Sequence, residues 1–358
     1  LLNLFIGNHS FGVSLIRSIA VLVIACPCAM GLATPAALAV GMGRAALHGI
    51  LYTQPGTMEL FKNIQQIVFD KTGTLTTGKF SISNYKAIGM DENEFKAIVY
   101  SLEKISSHPI AKSITMVWQQ PSSIKWKKIE EIKGIGVKGI DKEDNVFWIG
   151  SHKINNNEEL NEQHHLYITK NNNLIGWIDI DDEIRPEAKA IIDFYKGQGI
   201  KTILLSGDNF EKCKKAADIL GIDTVIAEQT PKQKLDKIEA LSNTAPTIMV
   251  GDGINDAPAL AKATISISLS EASKLAIQSA SVVLTNNGLQ KLPMATQLGK
   301  ATYNTVKSNL FWAFIYNIVA IPVAAIGLLS PSLAAFIMGI SDVVLIINSL
   351  WLGVKKIK

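Results

Sequence analysis

The sequence predicts a chain of two natures: membrane-spanning α-helices at both ends, and between them a soluble, cytoplasmic α/β body whose parallel sheet is split by an α+β insertion. Three observations carry this. The first is charge. Residues 1–58 hold two arginines (Arg17, Arg44) and no acid, residues 309–358 hold three lysines and one acid (Asp342), and the net +4 resides entirely in these apolar ends. The second is length: mostly apolar runs near 15–43, 309–329 and 333–354 reach the roughly 20 residues that a bilayer requires, and they are too long and charge-poor for buried core helices. The third is the alternation of short apolar runs with helical patterns in the middle, the pattern of a parallel sheet. A composition of 47% hydrophobic and 18% charged residues excludes disorder.

The opening LLNLFIGNHS is too short to span and lacks the basic start and small-residue cleavage site of a signal peptide, so it reads as the end of an earlier span. The first full run contains Cys26-Pro27-Cys28. A proline inside a span frees backbone groups and bends the helix, so that both sulfurs can turn toward one ion. Thiolates are soft ligands that suit Cu(I) and also bind Zn(II); the bland alternative is two cysteines that merely pack. Three cysteines are too few for a disulfide framework, and Cys213 shares a helical face with Ala217 and Leu220, as a core residue would. The last two runs form a hairpin around Ser330-Pro331. Lys355, Lys356 and Lys358 then place the C-terminus, and with it the soluble middle, in the cytoplasm.

Four apolar runs in the middle end in polar clusters: 67–69 before Asp70, 203–205 before Ser206-Gly207-Asp208, 225–226 before Gln229-Thr230-Pro231, and 248–250 before Gly251-Asp252. Such clusters fall at the carboxyl ends of parallel strands, where these sheets keep their sites. Further strands are expected at 264–268 and 282–284. More than a hundred residues separate the first two runs, too many for a loop. An inserted α+β domain is placed at 84–174, with helices at 92–104 and after Pro109, short strands around Ile132, 146–149 and 167–169, and Asn-rich turns at 155–157 and 171–173. His164 and His165 are expected to point opposite ways on a strand, giving no metal site, and Lys125, Lys127 and Lys128 beside Glu130 and Glu131 read as a solvated face rather than a nucleic-acid surface.

Asp70 opens Asp70-Lys71-Thr72-Gly73-Thr74-Leu75-Thr76 after a buried strand, where a carboxylate can attack phosphorus. This run closely resembles the phosphorylation signature of P-type ATPases, members of the wider haloacid-dehalogenase-like class. Phosphatases of that class carry a second Asp two positions on, acting as general acid and base; this chain has Thr72 there. Gly251-Asp252-Gly253-Ile254-Asn255-Asp256-Ala257-Pro258 is a second match. The resemblance implies catalytic roles for Asp70, Lys71, Thr72, Ser206, Gly207, Asp208, Lys234, Asn255 and Asp256, with Ser206 standing where the family has Thr. Mg²⁺ takes oxygen ligands, and Asp70, Asp252 and the backbone oxygen of Thr72 form a plausible set.

Within the insertion, Glu103, Ser107-His108-Pro109, Gly134-Ile135-Gly136 and Gly150 resemble the ATP-binding features of the heavy-metal branch, with Ser151 where the family more often has Asn. Cys-Pro-Cys followed by Gly31-Leu32-Ala33-Thr34-Pro35 resembles the copper subgroup, as do Asn309, Tyr316-Asn317, Pro322 and Met338 with Ser341. Cys26, Cys28, Tyr316, Asn317, Met338 and Ser341 are therefore the expected ligands of the transported ion. Asp342 departs from that pattern, which has a second Ser. The chain is expected to divide at 1–58 (membrane), 59–83 (phosphorylation domain, first part), 84–174 (nucleotide-binding domain), 175–290 (phosphorylation domain, second part) and 291–358 (last two spans).

No Thr-Gly-Glu actuator motif, no Cys-x-x-Cys domain and none of at least four earlier spans are present, so the sequence reads as the C-terminal part of a pump. The resemblance implies ATP and Mg²⁺ as cofactors and Cu(I) as cargo, delivered by a copper chaperone, with export across the plasma membrane as the family expectation. A Zn(II)/Cd(II) pump and a haloacid-dehalogenase-like phosphatase are the alternatives.

Overall fold

A computed structural model of the chain describes residues 10–119, 124–132, 134–154, 164–252, 256–269, 279–286 and 288–356. It holds two compact units, Leu1–Thr74 with Pro186–Lys358, and Leu75–Arg185. The opening decapeptide up to residue 9, the turn at 155–157, Asn255 and Lys358 lie outside the described residues.

The first unit begins with α1 (Phe11–Ile24), capped by the Ser10 hydroxyl accepting from Val13 N, and α2 (Cys28–Leu47). Helical hydrogen bonding lapses between them because Pro27 has no N–H to offer and its ring crowds the preceding turn. The expected single run at 15–43 is thus two helices joined at the Cys-Pro-Cys break, and together Phe11–Leu47 is long and apolar enough to cross a membrane. Next come a short strand β1 (Ile50–Tyr52) and β2 (Gln66–Asp70), which is buried at every position.

The second unit interrupts the chain here. It contains β3 (Thr76–Ala87), α3 (Glu92–Glu103), α4 (Pro109–Val117), β4 (Lys128–Ile132), β5 (Gly136–Ile140), β6 (Val146–Gly150), β7 (Leu166–Lys170) and β8 (Asn173–Ile184). All six strands pair antiparallel in the order β3-β8-β7-β6-β5-β4. The unit is wider than the 84–174 read from the sequence because β3 and β8 pair from Thr76↔Ile184 to Ala87↔Gly176. Phe95, Ile98, Val99 and Leu102 from α3 and Ile114 from α4 close its core against Val137, Phe147, Ile149, Ile168 and Ile178. His164 and His165 precede β7 instead of alternating along it, and they do not point apart. Both Nδ1 atoms converge on the Asp179 carboxylate, at 3.0 and 3.3 Å, while His164 stacks on Trp177.

The chain returns to the first unit with α5 (Ala188–Gly197), β9 (Lys201–Leu205), α6 (Phe210–Leu220), β10 (Thr224–Ile226), α7 (Pro231–Thr244), β11 (Thr247–Gly251), β12 (Ile265–Ser268) and β13 (Val282–Leu284). The sheet order is β1-β13-β12-β11-β2-β9-β10, parallel except where β1 closes the edge antiparallel to β13. Crossovers run one way from β2 through β9 to β10, and the other way through β11 to β12 and β13. The carboxyl ends of β2 and β11 are consequently the switch point, the crevice where open α/β sheets hold ligands.

Two long helices complete the unit, α8 (Leu292–Ala325) and α9 (Pro331–Val354). The foot of α8 packs on the sheet: Tyr52 Oη donates to Ala295 O at 2.7 Å, and Tyr195 Oη bonds Thr296 Oγ1 at 2.7 Å. Gly327, at φ +87°, makes the turn after α8, and Ser330 caps α9 by accepting from Leu333 N. Pro331 then takes the first helical position, where a missing N–H costs nothing, so α9 starts two residues earlier than hydropathy indicates. Arg44 Nη1 donates to the carbonyls of Leu352 and Lys355 at 2.7 Å, satisfying the C-terminal end of α9.

Candidate functional site

Three groups of residues carry chemistry. The first stands at the switch point. Asp70 ends β2 and is 4% exposed, followed by a turn in which Thr72 is extended (φ −74°, ψ 125°) and Gly73 left-handed (φ 74°). No side chain adopts that Gly73 geometry cheaply, and the turn brings Gly73 against Asp252 at the end of β11. Lys234, from the first turn of α7, donates to Asp70 Oδ1 at 2.5 Å and to Asp256 Oδ1 at 2.9 Å. Its helix is aimed by a capping box in which Thr230 and Gln233 bond each other's backbone N–H groups. Lys71 pairs with Asp208, and Ser206 Oγ accepts from Asp208 N at 3.2 Å. Gly207 approaches the Gln229 carbonyl closely enough that a Cβ there would need a few tenths of an ångström.

Burial, then the Asp256 carboxylate and more weakly Asp252, push the Asp70 carboxyl up to about 7, against the pull of Lys234. Burial pushes Lys234 down, yet Asp70 and Asp256 outweigh it and hold the ammonium above its ordinary value. Asp70 and Asp252 beside the extended carbonyl of Thr72 form a hard-oxygen donor set, which fits Mg²⁺. Sequence reasoning passed over Thr74: it is fully buried and its hydroxyl has no partner in the structure. Its place within the heptapeptide that Asp70 opens was its only signal in the sequence.

The second group lines a cavity of about 380 Å³ in the second unit. Glu103, His108, Gly134, Gly136 and Gly150 all border it, although they come from α3, the start of α4, the β4–β5 turn and β6. Gly136 faces Gly150 across the β5–β6 ladder, and a side chain on either would strike the other strand's backbone. His108 caps α4, its Nδ1 accepting from Ile110 N at 3.3 Å, so the ring proton sits on Nε2. Burial first, then Glu131, raise the Glu103 carboxyl to about 7. Glu131, which accepts from Ser106 Oγ at 2.7 Å, and His165 also border the cavity; no periodicity in the chain marks either.

The third group lies among the apolar helices. Cys26 and Cys28 are joined as a disulfide, their Cα atoms 5.5 Å apart across the unwound break. This differs from two thiolates turned toward one ion. The break brings the cysteine backbones within ordinary disulfide reach, so the sulfurs meet each other. Tyr316 and Asn317 on α8 and Met338, Ser341 and Asp342 on α9 are half-buried. Asn309, fully buried, is instead a staple: it donates to Ala33 O and Ser349 Oγ and accepts from Asn348 Nδ2 at 2.7 Å, tying α2, α8 and α9 together.

The sheet with a buried carboxylate at its switch point defines a class. The family model for haloacid dehalogenase-like hydrolases matches residues 64–264, and the chain belongs to that family. Within it, the chain is similar to copper-exporting P-type ATPases. One from Staphylococcus epidermidis is 35% identical over 99% of this chain and 46% of its own length, and one from Staphylococcus aureus strain Newman is 36% identical over 98% and 45%. The chain spans about half the length of the curated relatives it matches. Among solved structures, a zinc-transporting PIB-type ATPase in the E2.Pi state superposes with a TM-score of 0.86 at 27% identity, covering 98% of this chain and 60% of that one. The catalytic domain of the CPx-ATPase CopB-B, described for its conformational changes upon nucleotide binding, gives 0.62 at 29% identity over 71% of this chain and 98% of that one. With three segments among the described residues long and apolar enough to cross a bilayer, Phe11–Leu47, Leu289–Ala325 and Pro331–Val354, the chain is an integral membrane protein.

Proposed function

We propose that this chain forms the catalytic and ion-conducting part of an ATP-driven pump that exports a soft heavy-metal ion, Cu(I) foremost, through an aspartyl phosphate on Asp70. The observation that carries the proposal is the placement of Asp70: a buried carboxylate on the central strand, gripped by Lys234 and faced by Asp252, with Thr72 where a hydrolytic acid would stand.

An Asp70 oxygen attacks the γ-phosphorus of ATP, the bond to the bridging oxygen breaks, and ADP leaves with that electron pair. Lys234 orients the attacked group and offsets its charge, and Asp256 holds Lys234 in place. Asp70, Asp252 and Thr72 O would hold Mg²⁺, which neutralises phosphate charge and keeps Asp70 ionised despite its raised affinity for protons. Without an acid–base residue at position 72, water attack on the phosphoenzyme is slow, and the intermediate persists through a conformational change. The cavity bordered by Glu103, His108, Gly134, Gly136 and Gly150 is assigned to the nucleotide. Reduced Cys26 and Cys28 with Tyr316, Asn317, Met338 and Ser341 are assigned to the ion. Lys355 and Lys356 after α9 support a cytoplasmic sheet; the plasma membrane is the setting assigned to the pump, with a copper chaperone delivering the ion.

The test is phosphorylation of the chain by γ-labelled ATP with Mg²⁺. An acid-stable, hydroxylamine-sensitive label is expected on the wild type and none on Asp70→Asn. Equal labelling of the two would refute the assignment.

A further inference from the structure

Four neighbouring strands of the six-stranded sheet end or begin along one side of the cavity, and their register, Ile132↔Gly136, Gly136↔Gly150 and Gly150↔Tyr167, sets them in a row. Adjacent strands lie about 4.8 Å apart, so the row from β4 to β7 is about 14 Å long. Its two middle positions are glycines, which leave a bare backbone floor where a flat group can lie.

The two ends of this row differ in charge. At the β4 end, Glu131 lies within electrostatic reach of Glu103. His108 belongs to that end as well: its N–H donates to Ser106 Oγ at 3.2 Å, and Ser106 Oγ donates to Glu131 at 2.7 Å. Among the described residues bordering the cavity, Glu103 and Glu131 are the acids, and neither a lysine nor an arginine is present. At the β7 end stands His165, away from both acids along the row.

His165 is held in place by its neighbours. The β7–β8 ladder starts at Leu166↔Ile178, and beyond it Ile180 N donates to the His165 ring, at Nδ1, over 3.2 Å. With Nδ1 accepting, the ring proton sits on Nε2. The Asp179 carboxylate accepts from His165 N at 3.3 Å and from His164 Nδ1 at 3.0 Å, and His164 is stacked on Trp177 with ring centroids 3.7 Å apart. The phosphoryl-transfer chemistry assigned to Asp70 uses none of these groups. A second sign of a polar ligand comes from Ser151, which follows Gly150 and borders the cavity. Its Oγ is buried and has no hydrogen-bond partner.

We infer that His165 binds the first phosphate of the nucleotide, donating from Nε2 to the α-phosphate while the base and sugar lie across Gly136 and Gly150 toward Glu131. This rests on the assignment of the cavity to the nucleotide. A phosphate is repelled from the end where two carboxyls stand together, which leaves it the β7 end. There a donor already fixed in position meets an anionic oxygen, the charge-assisted kind of hydrogen bond. The ring is 25% exposed, so the bond competes with water and its worth is moderate.

Equilibrium dialysis of the full chain with labelled AMP and labelled adenosine, in the absence of Mg²⁺, tests the inference. The wild type should bind AMP more tightly than adenosine. His165→Ala should lower AMP affinity about five-fold and leave adenosine affinity within about two-fold, which also certifies that the cavity is folded. His165→Gln, which keeps a donor, should recover part of the loss. A wild type without preference for AMP, or a His165→Ala variant that loses both ligands equally or neither, overturns the inference. His108→Gln separates the two levels. If it and His165→Ala both bind AMP and adenosine as the wild type does, or if the wild type binds neither ligand, the cavity assignment itself fails. If His108→Gln weakens both ligands while His165→Ala keeps their ratio, only the role of His165 fails.

Discussion

The switch point of the sheet and the polar layer among the helices both bury charge, and they handle it in opposite ways. At the switch point Lys234 meets Asp70 and Asp256, and Lys71 meets Asp208, so charges of both signs are interleaved before any ligand arrives. Among the helices one oxygen of the Asp342 carboxylate, the Asn317 amide oxygen and the Tyr316 hydroxyl are buried without hydrogen-bond partners. The difference teaches what each site awaits. A group that will hold a polyanionic phosphate must keep its cations in place, while a layer that will hold a passing cation must leave its acceptors open.

The sharpest way to break this comparison is to remove the shared cation of the first site. Lys234→Ala leaves Asp70 and Asp256 without their counter-charge, and the Asp70 carboxyl, already raised to about 7, loses the ammonium that lowers it, so its affinity for protons climbs further. Loss of a preorganised charge at a transferring phosphoryl group slows reaction by about a hundred- to a thousand-fold. Initial rates of phosphoenzyme formation should show that loss, with Lys234→Arg recovering part of it. A rate within a few-fold of wild type would mean that the interleaved charges serve the fold alone.

The two sites were unequally legible. Asp70, Ser206 and Asp252 announce themselves because parallel strands are read from short apolar runs, and sites collect at the strand ends. The cavity residues are farther apart in sequence, and only a resemblance to known proteins grouped Glu103 with Gly150; nothing in their spacing predicts that α3 and β6 meet. His164 and His165 misled because a period of two was assumed, whereas the chain at that point has not yet entered β7, and Asp179 on β8 draws both rings to one side. The disulfide was equally hidden: a bonded cysteine pair within a span has no signature distinct from two ligand thiols.

Glu103 is intermediate between the two regimes, a buried acid with another acid beside it. Its carboxyl is raised from 4.5 to about 7, by burial and then by Glu131. The folded state therefore binds a proton that the unfolded state releases, so the stability of the second unit falls as pH rises from about 4.5 to 7 and levels off above that. The full shift corresponds to about 3 kcal/mol. Hydrogen-exchange protection of α3 amides, corrected for intrinsic rates, should decline across that window in the wild type and stay flat in Glu103→Gln. A slope that survives the substitution would assign the titration elsewhere.

The smallest effect discriminates most finely, because it compares two asparagines on one helix. Asn309 donates to Ala33 O and Ser349 Oγ and accepts from Asn348, and it is fully buried. Asn309→Ala removes those bonds and strands the groups they satisfied on α2 and α9, a cost of about 1–2 kcal/mol given the modest worth of hydrogen bonds between membrane helices. Asn317 lies two turns along the same helix, its Oδ1 buried and unpaired. Asn317→Ala removes an atom that was already unsatisfied, so stability should stay within about 0.5 kcal/mol of wild type or rise. Unfolding of the chain by denaturing detergent, followed by loss of helical circular dichroism, measures both. Titration of the reduced chain with Ag(I) or Cd(II) should reverse the ranking, with Asn317→Ala weakening ion binding and Asn309→Ala leaving it nearly intact in whatever fraction remains folded. If Asn317→Ala instead destabilises the chain as much as Asn309→Ala does, the orphaned layer is packing like the rest of the bundle, and the contrast between a site completed in advance and a site held open disappears.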